Sequence, residues 1–378
     1  MDSGGLFCLG TQGAAWYCGG MKSHHLFTLL GCLALVSCST QRYVGSHGEK
    51  VALPAVVDVS TQPARNVILM IGDGMGAEQV WAAWLANRGE LNITTLPVTG
   101  VSVTTSASHL ISDSAAGGTA IACGCKTKNG QLGITAAGKP VDSLAVQMHR
   151  AGKATGLVVT KSITDATPAA FYAHVKSRRQ TADIADALVK SDFEVIVGGG
   201  SADFSAAQLA QLEKKCQLFE LAAPGNCVAA AKRPGWLAGR VQDALEVLSK
   251  DKDGFFLMVE GSKIDTEAHL NSLTGTVQET QDFDQAVGAV LRWMQKHPDT
   301  LLVVTADHQT GGLSILDGDK EKGEGKGHFS TYHHSGVAVP VYAAGAGASA
   351  FAGVQENTAF FTKIQNAAGL GSRACTSK

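Results

Sequence analysis

Acidic and imidazole side chains follow several stretches of the sequence that read as buried strands. Asp73 follows the run NVILMIG, Glu260 follows FFLMV, Asp307 and His308 follow LLVVTA, and Asp165 lies shortly after GLVVT. In open α/β sheets ligands bind at the carboxyl ends of the strands. Carboxylates gathered there are costly to bury unless they are paired or bind cations. The pattern therefore predicts a metal cluster at one edge of a sheet.

The spacing of further Asp and His residues supports this prediction. Asp265 and His269 are four residues apart, so on a helix they would share one face. The pair His333 and His334 precedes the apolar run VAVPVYA. Mixed Asp and His ligands suit zinc, whereas ligands with oxygen atoms alone suit magnesium. A single His is more often structural and a single Asp after a strand is more often a helix cap, but their recurrence at several strand ends favours ligation.

A serine with nucleophilic potential lies in the segment SDSAAGGT, residues 112–119. Taken alone, Ser114 reads most simply as the N-cap of a helix that runs to about Cys123. The same position would also place its hydroxyl in the positive potential of a helix N-terminus, where anions bind. A zinc ion nearby would favour the alkoxide of this serine and thus an active nucleophile.

Buried strands that alternate with amphipathic helices would position these side chains. The predicted strands are Val67–Ile71, Gly156–Thr160, Glu194–Val197, Phe255–Val259, Leu301–Thr305 and Val339–Ala343, all read as parallel. The predicted helices are Gly76–Arg88, Ser143–Ala151, Ala182–Ser191, Ala206–Lys215 and Thr276–Lys296, the last with an apolar stripe of Phe283, Val287, Val290 and Met294. The alternation predicts a doubly wound α/β fold with a mostly parallel central sheet and helices on both faces.

The order of these motifs resembles that of the alkaline phosphatases over about Asn66 to Leu370. The matching segments are GDGMG at 72–76, DSA at 113–115, DATPAA at 165–170 running to Arg178, EG at 260–261 with ID at 264–265, TADH at 305–308 and HSG at 334–336. The resemblance implies an alkaline-phosphatase-like fold and hydrolysis of small phosphate monoesters, with inorganic phosphate as product. It also implies two Zn²⁺ and one Mg²⁺ per chain, and a homodimer.

The resemblance assigns roles residue by residue. Ser114 would be the nucleophile that carries the phosphoryl group, and Arg178 would grip the phosphate. The implied metal ligands are Asp265, His269 and His334 for the first zinc, Asp73, Asp307 and His308 for the second, and Asp73, Thr167 and Glu260 for magnesium, with Asp165 acting through water.

Two of these assignments are open to another interpretation. Without the resemblance, Arg178 would read as a solvated cation beside Arg179, and spacing alone does not decide between His333 and His334, although the following Ser-Gly favours His334. The chain also departs from the family at Thr266, where many bacterial members have Lys and animal members have His. One positive charge near the substrate is therefore missing at that position.

The N-terminal segment indicates export. Residues 1–20 carry no element signal and read as an upstream extension, and residues 21–37 read as a signal peptide of the lipoprotein type. Cys38 would be lipidated, with residues 38–50 as a tether, which places the protein in the periplasm or at the outer membrane or cell surface as a lipoprotein. The alternative is an ordinary signal peptide and an exported protein without lipid.

Composition and cysteines set further limits. The sequence has 378 residues, is 45% hydrophobic and 17% charged, and has a formal net charge of −2. These values favour a folded domain over disorder and disfavour a nucleic-acid partner. We expect one domain over 51–378 with a small polar insertion at 314–331. Cys216 and Cys227 form the most plausible disulfide, whereas Cys123 and Cys125 read as buried or paired thiols.

Two other function classes fit part of the sequence. A phosphodiesterase or a sulfatase-like hydrolase of the same superfamily would share the zinc ligands but would not need Arg178 or the Thr167 and Glu260 pair. A non-catalytic lipoprotein that binds metal or phosphate would need no activated nucleophile. Ser114 and Arg178 therefore discriminate between these classes and a phosphomonoesterase.

Overall fold

The strongest apolar runs of the sequence form the centre of a mixed β-sheet. A computed structural model describes residues 40–44, 53–55 and 59–371 of the chain; the predicted signal peptide and Cys38 lie outside these residues. The strands are β1 Gln41–Val44, β2 Val59–Ser60, β3 Asn66–Gly72, β4 Val98–Val103, β5 Ala154–Ser162, β6 Val195–Gly199, β7 Leu218–Leu221, β8 Phe255–Gly261, β9 Thr300–Thr305, β10 Gln309–Thr310, β11 Leu313–Asp319, β12 Glu324–Phe329, β13 His334–Ser335, β14 Val339–Ala346 and β15 Gly353–Glu356.

Helices connect these strands and cover the sheet. They are α1 Ala77–Ala86, α2 Ser114–Cys123, α3 Leu144–Arg150, α4 Ala166–Ala169, α5 Thr181–Lys190, α6 Ala206–Lys215, α7 Trp236–Leu248, α8 Lys263–His269, α9 Leu273–Met294 and α10 Ala359–Ala367. In the part of the chain that the structure describes, none of the helices has both the length and the hydrophobicity needed to cross a membrane.

The central sheet has the strand order β15-β4-β14-β9-β3-β8-β5-β6-β7, with β2 beside β14. The strands from β9 to β7 in this order are mutually parallel, which confirms the predicted doubly wound α/β fold. The prediction of a parallel strand at Val339–Ala343 is wrong, because β14 runs antiparallel to both β4 and β9. The chain returns to the sheet through β13, which pairs with β10 just after β9, so β14 starts at the carboxyl edge and runs back.

Both faces of the central sheet are buried, as the continuous apolar runs predict. Successive residues of β3 point to opposite faces: Val67, Leu69 and Ile71 pack in one core, and Ile68 and Met70 pack in the other. The first core includes residues of α2, α3, α5 and α10, and the second includes residues of α1, α7 and α9. The stripe predicted on α9 belongs to the second core, and all four of its members are buried. The helices thus hold the sheet, and its carboxyl edge, in a rigid frame.

The polar insertion expected at 314–331 is a β-hairpin. Strands β11 and β12 pair antiparallel, and β1 pairs with the far side of β12. The expectation of a tether over 38–50 is therefore wrong for Gln41–Val44, which form this third strand. The reason is packing, since Tyr43 is buried in a small core with Leu273, Leu313 and Phe329.

The predicted disulfide between Cys216 and Cys227 is wrong, because both thiols are free. Strand β7 separates the two residues, and an extended strand of four residues spans about 13 Å. A disulfide needs its Cα atoms within about 7 Å. The Sγ atom of Cys216 instead contacts the carbonyl oxygen of Phe193 at 3.5 Å. Cys123 is a buried free thiol and Cys125 is disulfide-bonded.

Candidate active site

Four adjacent strands bring the predicted site residues to one edge of the sheet. In the order β9-β3-β8-β5, Asp307 follows the first strand, Asp73 follows the second, Glu260 lies near the end of the third and Asp165 follows the fourth. The ends are level, because Ile71 pairs with both Thr305 and Glu260. Carboxylates that are far apart in sequence therefore meet at the carboxyl edge, where ligands of such sheets bind.

Asp265, His269 and His334 form the first group of candidate ligands. Helix α8 places Asp265 and His269 one turn apart on the same face. His269 Nε2 lies 3.2 Å from Asp265 Oδ1 and 3.1 Å from His334 Nε2, and the distance from His334 Nε2 to Asp265 Oδ1 is 3.5 Å. Ligands bound at about 2.0 Å in a tetrahedral zinc site are about 3.3 Å apart. These three atoms therefore have the separation that a zinc ion requires.

Backbone carbonyl groups fix the two histidine rings of this group. His269 Nδ1 lies 2.6 Å from the carbonyl oxygen of Tyr332, and His334 Nδ1 lies 2.8 Å from that of Ser112. A carbonyl oxygen only accepts hydrogen bonds, so each Nδ1 carries a proton and each Nε2 faces Asp265, as in metal-binding histidines. His333 is exposed, whereas His334 Nε2 lies beside His269 and Asp265, so the structure brings His334 and not its neighbour to this group.

Asp73, Asp307 and His308 form the second group. His308 Nε2 lies 3.3 Å from Asp307 Oδ2, 3.6 Å from Asp73 Oδ1 and 3.2 Å from the hydroxyl of Ser114. The backbone N–H groups of Gly74 and His308 donate to Asp307 Oδ1, which turns Oδ2 toward the group. Asp73 Oδ1 and Asp307 Oδ2 are buried and accept no hydrogen bond. Buried acceptors of this kind are costly unless a cation binds them, so this group also fits a metal ion.

The two groups adjoin. Ligand atoms of Asp265, His308 and His334 lie within 4.8 Å of one another, as do those of Asp73, Asp307 and His308. The rings of His308 and His334 stack with a centroid distance of 3.5 Å. Two cations held by these groups would therefore be close neighbours, as in two-metal phosphoryl-transfer sites.

Burial sets the ionisation of this cluster. Burial, together with the charges of Asp265 and Asp307, raises the pKa of Asp73 to about 7, and burial raises the pKa of Asp307 to about 6. Burial lowers the pKa of His308 to about 3, so its ring is neutral and able to ligate. Burial also lowers the pKa of His334, but the hydrogen bond and charge of Asp265, the contact with the Ser112 carbonyl and the charge of Asp73 together outweigh this and raise it to about 9. A metal ion at Nε2 would replace that proton.

Thr167 and Glu260, the third set of predicted ligands, offer oxygen atoms only. Thr167 Oγ1 and Glu260 Oε2 are buried and have no hydrogen-bond partner. Burial and the nearby charge of Asp73 raise the pKa of Glu260 well above its usual value. Asp165 lies beside this group, where its Oδ1 accepts from the backbone N–H of Ala166 and from Arg178. The unpaired oxygens fit a hard cation such as magnesium.

Ser114 is the first residue of α2 and not its cap. Asp113 is the N-cap, and its carboxylate accepts from the backbone N–H of Ala116 at 3.0 Å. The Ser114 hydroxyl therefore stands at the helix N-terminus and faces the second group. Gly117 lets the helix approach closely, because a Cβ atom there would lie 2.8 Å from the carbonyl oxygen of Asp307.

Arg178 is held by two carboxylates, one of them on Asp113, the residue before Ser114. Its guanidinium donates to Asp165 Oδ1 at 2.8 Å and to Asp113 Oδ2 at 3.5 Å. These charges raise the pKa of Arg178 although burial opposes them. The side chain remains 29% exposed. This placement differs from that of a solvated surface cation and leaves part of the planar fork available to an anion.

Sequence reasoning missed two residues that contact the candidate ligands. The Lys161 ammonium lies 2.9 Å from Asp73 Oδ2 and 3.2 Å from Asp265 Oδ2. The Thr310 hydroxyl donates to Asp265 Oδ1 at 2.7 Å and lies 3.3 Å from His308 Nδ1. A signal was present for both, since Lys161 directly follows the apolar run at 156–160 and Thr310 closely follows Asp307 and His308.

Known proteins resemble this chain over most of its length. The sequence model of the alkaline phosphatase family matches residues 64–216 and 208–330. Alkaline phosphatase 4 of Bacillus subtilis is 37% identical over 295 residues, which cover 68% of this chain and 64% of that protein. The chain thus spans just under two thirds of that relative. Streptomycin-6-phosphate phosphatase of Streptomyces griseus is 32% identical over 82% of this chain and 91% of its own length.

Solved structures agree with the sequence matches. The alkaline phosphatase from the Antarctic bacterium TAB5 has a TM-score of 0.78, with 32% identity over 82% of this chain and 100% of that chain. A mutant of the TAB5 enzyme, with Mg bound in its M3 site, has the same TM-score over 83% of this chain. The family match over more than half of the sequence, the identity to these relatives and the common fold lead to one conclusion: this chain belongs to the alkaline phosphatase family.

Proposed function

We propose that this protein is a metal-dependent phosphomonoesterase, an alkaline phosphatase in activity as well as in family. The observation that carries the proposal is the position of the Ser114 hydroxyl, 3.2 Å from His308 Nε2 and at the N-terminus of α2. Two buried carboxylate oxygens without partners, Asp73 Oδ1 and Asp307 Oδ2, belong to the same group. A serine so placed can attack phosphorus, whereas a protein that only binds metal or phosphate would not need it.

We propose two Zn²⁺ and one Mg²⁺ per chain. The two groups that contain histidine suit zinc, with Asp265, His269 and His334 in one and Asp73, Asp307 and His308 in the other. Asp73, Thr167 and Glu260 would hold Mg²⁺ through oxygen atoms, with Asp165 acting through water. The Mg bound in the M3 site of the TAB5 mutant supports a magnesium ion in a relative of this fold. When bound, the divalent ions supply Lewis acidity that stabilises negative charge on the attacking and leaving oxygens.

The residues of the chain perform a double displacement in this proposal. The Ser114 oxygen attacks phosphorus in line, the ester bond breaks, and a phosphoseryl intermediate forms as the alcohol leaves. Water then attacks the same phosphorus from the opposite side and releases inorganic phosphate and free Ser114. Arg178, held by Asp113 and Asp165, donates to the non-bridging oxygens, where charge accumulates in the transition state. Because these contacts involve only the phosphoryl group, we expect broad specificity for monoesters.

Trapping of the phosphoenzyme tests this mechanism. Zinc- and magnesium-loaded protein is mixed with radiolabelled phosphate at acid pH, quenched and analysed for covalent label. We expect about one label per chain in the wild type, none in Ser114→Ala, and normal labelling in the matched variant Ser112→Ala, whose hydroxyl donates to the carbonyl oxygen of Asp113. Label that persists in Ser114→Ala would refute the assignment. Turnover of phosphodiesters or sulfate esters without turnover of monoesters would favour the related hydrolases instead.

The proposal also includes export, because residues 21–37 have the pattern of a lipoprotein signal peptide that ends before Cys38. Membrane contact would be limited to the lipid on Cys38, and the protein would be a periplasmic or surface lipoprotein, as a homodimer like its family. Cys38→Ala should abolish labelling of the expressed protein by a fatty-acid analogue and release it from the membrane fraction. Equal labelling of wild type and variant would contradict the lipid assignment.

A further inference from the structure

Lys161 places a positive charge inside the candidate metal cluster. It lies on β5, and its ammonium contacts Asp73 Oδ2 at 2.9 Å, Asp265 Oδ2 at 3.2 Å and Asp165 Oδ2 at 3.8 Å. Only 8% of the side chain is exposed. The three carboxylates belong to different metal groups, so this one ammonium connects the first zinc group with the second and with the magnesium group.

The ammonium brings a positive charge to the site. A lysine side chain is ordinarily protonated at neutral pH, and this one contacts three carboxylates from different parts of the chain. Lys161 therefore places a cation of the chain itself where the candidate metal groups meet.

Lys161 and a third metal ion require the same oxygen. Asp73 Oδ1 faces His308 in the second zinc group, so Asp73 Oδ2 is the atom that remains for an ion held by Thr167 and Glu260. Magnesium binds oxygen at about 2.1 Å, and the ammonium already lies 2.9 Å from Oδ2. The two cations would thus be within about 5 Å of each other, where they repel strongly because the surrounding side chains are buried.

We infer that Lys161 is a built-in cation that competes with the third metal ion for Asp73 Oδ2, so that the chain holds two metal ions tightly and the third only weakly. This inference rests on the proposed metal sites. Lys161 acts through the carboxylates and is a positioning residue.

Magnesium binding to zinc-loaded protein tests the inference. Wild type, Lys161→Met and the control Lys153→Met are loaded with zinc, dialysed against increasing Mg²⁺ and analysed for both metals by mass spectrometry. Lys153 is a matched control because it precedes the opposite end of β5 and donates to the carbonyl oxygens of Arg65 and Asp253. We expect Lys161→Met to bind one Mg²⁺ per chain at least tenfold more tightly than wild type, with two zinc ions retained, and Lys153→Met to match wild type.

A second variant covers the case in which Lys161→Met does not fold. Lys161→Gln retains an N–H donor for Asp73 without the charge, and the inference requires the same increase in Mg²⁺ affinity. An unchanged or lower Mg²⁺ affinity in the folded neutral variants would overturn the inference, as would loss of zinc without gain of magnesium. Failure of wild type to bind zinc or to form a phosphoenzyme would instead refute the proposed function, and it is seen before any variant is made.

Discussion

Two buried clusters of carboxylates in this molecule differ in whether their oxygen atoms have hydrogen-bond partners. In the candidate active site, Asp73, Glu260 and Asp307 each bury an oxygen that has no hydrogen-bond partner. In a second cluster, Glu279 and Asp282 on α9 pair with the two terminal nitrogens of Arg233. Two further atoms of the second cluster are also bonded: Glu279 Oε1 accepts from the backbone N–H of Ala230, and Arg233 Nε donates to the carbonyl oxygen of Val228.

This difference in hydrogen bonding distinguishes a cluster that only stabilises the fold from one that can bind a ligand. A buried ion pair with all its hydrogen bonds satisfied has no capacity left for a ligand, and its removal harms only the fold. A buried cluster with unpaired oxygens is costly to form, and the cost is offset when cations bind. Burial alone therefore does not identify the active site, since Glu279 and Asp282 are as deeply buried as the candidate ligands. Among the described residues, the unpaired carboxylate oxygens identify it.

Removal of the metal ions tests this comparison with the largest expected effect. Chelation should abolish hydrolysis of p-nitrophenyl phosphate, by about a thousandfold or more, because the metals supply several kcal/mol of transition-state stabilisation. Zinc and magnesium together should restore the activity. Circular dichroism should show that the chelated protein remains folded, because the Arg233 cluster needs no metal. Activity that chelation does not change would contradict the comparison, because the unpaired carboxylates would then not bind a metal ion that catalysis needs.

A matched pair of substitutions tests the two clusters one residue at a time. Asp307→Asn should lower kcat/KM by at least about 100-fold, because a metal ligand is lost. The same substitution should not lower the free energy of unfolding of the metal-free protein, because it removes one of several carboxylate charges that repel one another. Asp282→Asn should leave kcat/KM unchanged and lower the free energy of unfolding by about 3 kcal/mol, because it leaves Arg233 under-compensated. Urea unfolding and steady-state kinetics measure both effects. Similar losses of stability in the two variants would contradict the comparison.

The arginines of the two regions differ in how much of the side chain is exposed to solvent. Arg178 is 29% exposed, whereas Arg233 is 5% exposed. Arg178→Lys should lower kcat/KM by about 10- to 100-fold, since a hydrogen bond to a charged group contributes about 1.5–3 kcal/mol and a lysine cannot donate two bonds in one plane. The exposed neighbour serves as control, so Arg179→Lys should retain full activity. If both variants were equally active, Arg178 would not contact the phosphoryl group.

The central strands and the aspartates that follow them could be predicted from the sequence because each signal is local. A strand buried on both faces gives a continuous apolar run, and the residue after it lies at the sheet edge. Strands β15 and β4, at one side of the sheet, contain exposed as well as buried residues and gave no such run, and helix α7 was missed. The direction of β14 depends on which edge of the sheet the chain reaches after the hairpin of β11 and β12. The local sequence pattern of β14 does not contain this information.

The polar partners of the ligands were harder to predict than the ligands themselves. Lys161 contacts carboxylates that lie 88 and 104 residues away. These contacts exist only because β5 and β3 both neighbour β8. The motif resemblance gave no signal for Lys161, because it covers the residues that the family shares. The failed pairing of Cys216 and Cys227 has a related origin, because proximity in sequence says nothing about the strand that runs between them.

The smallest effect concerns Thr310, which connects two candidate zinc groups. Its hydroxyl donates to Asp265 Oδ1 and accepts from His308 Nδ1, so it keeps the proton on Nδ1 and leaves Nε2 free for a metal ion. Thr310→Val has nearly the same shape but no hydroxyl, and it should weaken zinc binding about tenfold, at the lower end of the range for such partners, because the contact with His308 is long. Thr310→Ser, which keeps the hydroxyl, should bind zinc like wild type. Competition with a zinc chelator measures the zinc affinity of each variant. Equal affinities for Thr310→Val and Thr310→Ser would show that the hydrogen bonds of the Thr310 hydroxyl do not contribute to zinc binding.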